Sequence, residues 1–426
     1  MTTVNHGARM RLVRVCTILS AFISVFVAGC GSATGSGGIK AGPGVDTKAK
    51  TIDLGILTPL SGPVAAPIGV PLTKGIETYF KSVNASGGID GYQINLVEKD
   101  SQYNPQIQVQ MYNQIHNNVL MLAESLGSPT TQAIVSLATR DQMLVSAASL
   151  DSILARQQYM ILIGTPYRLQ VENAFDYIVN KVGDKTAKVG IISQDDAYGQ
   201  DGLKGYTEAM SCYTGLQDVA KQTYELTDTS YTAQVSAMKA AGAKYVILTA
   251  IPTAAAGIIG AAAQIGYFPQ WIMNSPAWAN GLLGVSPAFS GLLEKTTWVV
   301  AGGATWGDTS QPGMAAMLSD IQKYAPSQQP DGYFEFGYTE AKVTAAILKK
   351  AIENKDLSRA GLLKAFNSLG TVDLGGLLAP AHYGSSPNDR VPTRDNSVYG
   401  LDPTIPNNFK NLSGDFTGSC AMQSQV

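Results

Sequence analysis

The chain has 426 residues, of which 45% are hydrophobic and only 15% charged, with a formal net charge of −2. That length supports two domains with cores of their own. The charge balance excludes a nucleic-acid binder, which carries a clustered basic excess, and 44 glycines point to close-packed α/β architecture.

At the N-terminus Arg9, Arg11 and Arg14 precede an apolar stretch over 15–27, broken only by Thr17, Ser20 and Ser24. At about 1.5 Å per residue it is too short to span a bilayer, so it predicts an export signal over 1–29. The stretch ends Val27-Ala28-Gly29-Cys30, which resembles the lipobox of bacterial lipoproteins and implies cleavage before Cys30 and acylation of its thiol and amine. Removing that signal takes away three of 30 basic residues and no acids, leaving 27 against 32 and a net charge of −5. Behind Cys30, residues 31–50 hold six glycines and no hydrophobic period. They predict a flexible tether of roughly 25 Å. No later stretch is suited to crossing a membrane, so the lipid is the expected anchor, on the periplasmic or cell-wall side of the cell membrane. Besides Cys30 the mature chain keeps Cys212 and Cys420, and in an oxidising compartment two such cysteines are expected to pair. With no CxxC, and with His116 and His382 far apart, no metal or other cofactor is expected.

From residue 51 short apolar strands alternate with amphipathic helices. Strands are predicted over 51–57, 93–98, 119–123, 143–146 and 159–163, with helices over 71–84 and around Ile107, Met111 and Ile115. Gly87-Gly88 stops the first of these helices. A second series begins after Pro166, with strands over 188–193, 245–249, 271–274 and 297–301. Such alternation gives parallel sheets covered on both faces, with ligands at the carboxyl ends of their strands.

The segment Ser125-Leu-Gly-Ser-Pro-Thr-Thr-Gln132 crowds hydroxyls at the exit of a strand. As a nucleophile Ser128 lacks a GxSxG setting, Pro129 removes a backbone N–H of the kind used in oxyanion holes, and neither mature histidine offers a base. The same residues make a good helix start, with Ser128 at the N-cap and Pro129 behind it. A helix N-terminus with neighbouring hydroxyls also suits an anionic or polar ligand group. A second polar tip, Ser146-Ala147-Ala148-Ser149, follows the next strand. Asp195 and Asp196 are expected in a solvated loop. Nothing points to an enzyme.

These residues also carry a resemblance. The motifs are Thr58-Pro-Leu-Ser-Gly-Pro63, Asn84-Ala-Ser-Gly-Gly-Ile-Asp-Gly91, Gly127-Ser-Pro-Thr-Thr-Gln132, Ala197-Tyr-Gly199 and Gly337-Tyr-Thr-Glu-Ala341. In that order, over about residues 51–400, the chain resembles type I periplasmic binding proteins of the branched-chain amino acid (Leu/Ile/Val-binding) group, the substrate receptors of ABC importers. The resemblance implies two Rossmann-like lobes joined by three crossovers and closing on a small molecule. Lobe I would comprise 51–166 plus 301–378, and lobe II 167–300 plus 379–426. It implies a monomer working with permease and ATPase subunits. Ser128, Ala147 or Ala148, and Ser149 would hold a ligand carboxylate, while Tyr198 would close from the other lobe. Three departures bear on the ligand. Ala277 stands where amino-acid-binding members carry an acid for the α-ammonium, 249–253 lacks the usual tyrosine, and Ile68 replaces an aromatic. A buried ammonium without its partner is costly. What remains is a polar cradle and an apolar wall of Ile68, Ile251, Pro252 and Trp278, fitting an acid without an α-amine, an amide or a small aromatic compound. Trp278 would stack on the ligand or pack as a core or rim residue. The other use of such a chain is as a lipid-anchored sensory or interaction protein without transport.

Overall fold

The apolar runs become parallel strands because each is buried on both faces between layers of helices. The protein is described by a computed structural model over residues 38–303, 306–328, 331–402, 404–405 and 409–426, with backbone only at 387–388. The export signal, Cys30 and the first part of the tether lie outside these residues. Among the described residues no helix is long and apolar enough to cross a membrane.

The first series runs β1 (Lys40–Ala41), β2 (Val45–Asp46), β3 (Thr51–Thr58), α1 (Val70–Ala85), β4 (Gln93–Asp100) and α2 (Pro105–Ile115). It continues β5 (Leu122–Leu126), α3 (Ser128–Arg140), β6 (Val145–Ala148), α4 (Ser152–Ala155) and β7 (Met160–Ile161). The second series runs α5 (Tyr167–Asp176), β8 (Lys188–Gln194), α6 (Ala197–Cys212), β9 (Gln217–Tyr224), α7 (Thr232–Ala241) and β10 (Tyr245–Thr249). It continues α8 (Pro252–Gln264), β11 (Gln270–Asn274), α9 (Pro287–Thr296) and β12 (Thr297–Ala301). Then come α10 (Pro312–Tyr324), α11 (Gly332–Glu353), β13 (Asp356–Leu357), α12 (Arg359–Asn367) and β14 (Gly370–Val372). The chain closes with β15 (Ala381–Tyr383), β16 (Ser397–Leu401), β17 (Phe409–Asn411) and α13 (Ser419–Gln423).

In the first sheet the parallel strands lie in the order β4-β3-β5-β6-β7. In the second they lie β9-β8-β10-β11-β12, with β16 and β17 added antiparallel beyond β12. Each parallel set has its first strand between its second and third. Adjacent connections therefore leave in opposite directions at β3/β5 and at β8/β10, opening a crevice at the strand carboxyl ends. Helices α1 and α11 pack against each other at close range beside the first sheet. A Cβ on Gly337 would overlap the Leu72 carbonyl, and one on Gly75 the Phe334 carbonyl, so both positions need glycine. Ser146 Oγ donates to Glu340 Oε1 at 2.9 Å and ties β6 to α11.

Three expectations shift. The tether ends earlier than residue 50, because β1 pairs with β13 and β2 with β3. Backbone pairing orders this stretch without an apolar pattern. The third expected strand moves from 119–123 to Leu122–Leu126, since the buried Glu124 and Ser125 carry it past the apolar run. The boundary expected at 379 falls later. Tyr383 is buried, donates its hydroxyl to Leu162 O at 2.8 Å and packs on Phe366, and Arg390 donates to Gln158 O at 2.7 Å. The segment 381–390 thus packs beside the first sheet, and the second regains the chain only at β16. Strand β9 also went unforeseen, because its sequence QDVAKQTY is that of a charged edge strand with little apolar content.

Cys212 and Cys420 are bonded, with Cα atoms 6.0 Å apart, and hold α13 against α6. Arg394 Nη1 donates to Ala421 O at 2.6 Å, and Arg168 Nη1 to Gln425 O at 3.0 Å, seating the same tail.

Candidate ligand-binding site

The turn from β5 into α3 builds one end of the site. Gly127 sits at φ 100°, in the region L side chains rarely adopt, and a Cβ there would overlap the Tyr103 ring. Ser128 is therefore the first helical residue, with Gly127 as the N-cap, one position on from the expected cap. Freed from capping, Ser128 Oγ lies 2.8 Å from Ser149 Oγ, and Ser149 Oγ also accepts from Asp151 N at 3.3 Å. Whichever serine donates to the other, one O–H remains for a further acceptor. The backbone N–H groups of the first turn have no intrahelical acceptor.

Ser128 and Ala148 line a cavity of about 200 Å³ at the carboxyl ends of both sheets. Ile68, Tyr198, Ile251 and Trp278 line it too. Three expected residues, Ala147, Ser149 and Pro252, do not. Ala147 faces the core beneath β6, because successive residues of a strand point to opposite faces. Ser149 stands behind Ser128 and orients it. Ala277 is fully buried and also outside the wall, while Trp278 lies edge-on to Phe409 at 5.2 Å and donates Nε1–H to Asn280 Oδ1 at 3.2 Å.

Tyr198 lies in the first turn of α6, whose N-cap Asp196 accepts from the N–H groups of Tyr198 at 2.9 Å and Gly199 at 3.2 Å. Its hydroxyl is directed at Asn274 Oδ1, 2.6 Å away, with Ala250 O at 3.1 Å. Its ring meets Tyr167 edge to face at 4.8 Å. Tyr198 thus presents ring rather than hydroxyl to a ligand. Asp196 is not in a solvated loop as expected. It is half-buried, and desolvation holds its carboxyl above the usual range despite four hydrogen-bond donors.

Several lining residues went unrecognised in the sequence. Tyr103, in the loop after β4, donates its hydroxyl to Asp196 Oδ2 at 3.2 Å. Tyr333, in the first turn of α11, donates to Pro276 O at 2.7 Å. Both bonds join loops of the first sheet to loops of the second across the cavity. Burial pushes the phenols of Tyr103, Tyr198 and Tyr333 well up, so they act as neutral donors. Glu335 also lines the wall, two residues before the Gly337 motif, which gave a nearby signal.

No Lys, Arg or His lies among the described lining residues. Instead the N-termini of α3, α6, α8 and α11 converge on the cavity, a favourable field for a small anion. Apolar and aromatic side chains make up most of the wall. The arrangement is that of a solute-binding cleft: two sheets meeting at their switch points around a largely apolar chamber, with Ser128 and Glu335 among its polar lining residues.

The periplasmic binding protein family model matches residues 51–404, and the chain belongs to that family. The family is one of substrate-binding proteins, not enzymes. A Leu/Ile/Val-binding protein homolog 3 from Brucella melitensis is 30% identical over 199 residues, covering 46% of this chain and 53% of its own length. A homolog 7 from Brucella abortus is 26% identical over 314 residues, covering 70% of this chain and 77% of its own. Among solved structures, a fatty acid ABC transporter substrate-binding protein from Thermomonospora curvata superposes with a TM-score of 0.83. It is 29% identical, over 91% of this chain and 97% of its own. A branched-chain amino acid ABC transporter protein from Thermus thermophilus with bound valine shares the fold at a TM-score of 0.75. Its identity is 18%, over 87% of this chain and 97% of its own.

Proposed function

We propose that this protein is the extracytoplasmic solute receptor of an ABC importer, held to the membrane by acylated Cys30, and that its solute is an aliphatic carboxylic acid. One observation carries the choice of ligand: most of the chamber wall is apolar and aromatic, and Ser128 at the α3 N-terminus is among its hydroxyls. Ala277, buried behind the wall, offers nothing to an α-ammonium. The likeness to a protein described as a fatty acid receptor supports the same class. A volume of about 200 Å³ falls below the common range of roughly 300–1,000 Å³ for ligand pockets, which favours a short chain. Two lobes, each built on one sheet, close about the solute and hand it to permease and ATPase subunits.

Thermal-shift measurements with linear carboxylates from hexanoate to decanoate, set against leucine and valine, test the ligand class. The carboxylates should raise the melting temperature and the amino acids should not. A shift with leucine alone would refute it. Labelling cells with an alkyne fatty acid tests the anchor, since Cys30→Ser should abolish incorporation and release the protein from membranes.

A further inference from the structure

Glu335 lies in the first turn of α11, is only 7% exposed and opens into the cavity. Its backbone is engaged, N–H to Asp331 O at 3.0 Å and the carbonyl accepting from Thr339 Oγ1 at 2.8 Å. Its carboxyl, by contrast, has no hydrogen-bond or ion-pair partner among the described residues. Other buried acids on this side of the molecule are held: Glu124 by Thr73, Glu340 by Ser146. A buried carboxylate without donors is strongly disfavoured, whereas the neutral acid tolerates burial and gains a donor.

Position relates Glu335 to Ser128. The Ser146–Glu340 bond fixes β6 against α11. From it, Ala148 is two residues along the strand, about 6.6 Å, and Glu335 is five residues back along the helix, about 7.5 Å. Both line the cavity, and Gly127 N–H donates to Ala148 O at 3.2 Å, which sets Ser128 next to that strand end. The charged and titratable groups around Glu335 are Asp331 at the α11 N-cap, Tyr333 beside it, Tyr399 on β16, and the exposed Asp395. None is cationic, and burial followed by Asp331 pushes the Glu335 carboxyl well up.

Resting on the reading of the cavity as a receptor for aliphatic acids, we propose that Glu335 determines its specificity. Glu335 meets the ligand as a neutral carboxylic acid and donates its O–H to the ligand carboxylate. The carboxylate is therefore bound together with one proton, carried by Glu335 beforehand or taken from solvent where Glu335 is ionised. An amine ligand would need the opposite charge state.

Calorimetry with octanoate, octanamide and octylamine from pH 6 to 10 tests this on the wild-type protein, Glu335→Gln and Glu335→Leu. Octanoate should bind in preference to octylamine. Its affinity should fall about tenfold per pH unit once pH exceeds the Glu335 pKa, with proton uptake appearing over the same range. Glu335→Gln keeps a donor and should bind octanoate without that pH dependence. Glu335→Leu should lose about 10- to 150-fold. Octanoate binding that is flat with pH and unmoved by Glu335→Leu would overturn the role of Glu335 while leaving the receptor reading intact. An octylamine preference that Glu335→Gln abolishes would overturn both this role and the acid reading of the cavity. If none of the three probes binds the wild-type protein, the receptor reading falls and this inference with it.

Discussion

Tyr103 and Asp196 are 93 residues apart in sequence, yet the phenol donates to the carboxylate at 3.2 Å across the cavity. Tyr103 follows β4 of the first sheet, and Asp196 follows β8 of the second. With Tyr333 on the Pro276 carbonyl at 2.7 Å, it makes a two-point clasp between the sides of the cleft. On the proposed receptor reading, opening the cleft would break both bonds, which would favour a closed form.

Removing one clasp bond should therefore weaken binding without unfolding the protein. Tyr103→Phe keeps the ring that packs over Gly127 and loses only the hydroxyl. An ordinary hydrogen bond contributes about 0.5–1.5 kcal/mol, so affinity for octanoate should fall roughly 2- to 13-fold. Stopped-flow measurement should place the change mainly in the dissociation rate.

Ser128→Ala should cost more, because it removes the hydroxyl offered to a charged ligand group. A loss of about 1.5–3 kcal/mol, or roughly 10- to 150-fold, is expected by calorimetry. Ser149→Ala should weaken binding less, since Ser149 acts only through Ser128 at 2.8 Å. Equal affinity in Ser128→Ala and wild type would remove the serine from the site.

Glu124, fully buried in β5, gives the fold a pH dependence of unusual sign. Burial pushes its carboxyl up to about 8, only partly offset by the hydrogen bond from Thr73, while Glu98 and Glu77 raise it further. Below about pH 4.5 both folded and unfolded forms are protonated and the group has no effect. Between about pH 4.5 and 8 the unfolded chain releases the proton while the folded one holds it, so stability declines as pH rises. Glu124→Gln should match wild type near pH 4.5 and exceed it at pH 8 by roughly 1–4 kcal/mol in urea melts. A constant difference across that range would contradict the assignment.

The Cys212–Cys420 bridge closes a sequence separation of 208 residues. Replacing both cysteines with serine should lower stability by about 2–4 kcal/mol. The arginine contacts to Ala421 and Gln425 keep part of the tail seated, so the sign of success is faster proteolysis near 419–426 with octanoate affinity unchanged.

The strand–helix alternation and several cavity residues were legible because apolar periodicity and strand-end hydroxyls leave local signals. Residues 245–249 and 297–301 form strands with the expected bounds. Legibility failed where tertiary context decides. Gly127, rather than Ser128, takes the cap because the Tyr103 ring excludes a side chain there. The strand through Glu124 looked finished at Ala123, since nothing local announces that a carboxyl will be buried. Tyr103, Tyr333 and Glu335 reach the cavity only through the folding of distant loops onto one another. Of the apolar wall, Ile68, Ile251 and Trp278 were readable through the family resemblance, whereas alternation along β6 turned Ala147 away.

Native mass spectrometry of protein purified from its producing cells without refolding tests the central claim most directly. A clasped cleft should retain its solute, a bound aliphatic carboxylic acid that Ser128→Ala releases. Recovery of leucine, valine or another α-amino acid from the cavity would contradict that claim.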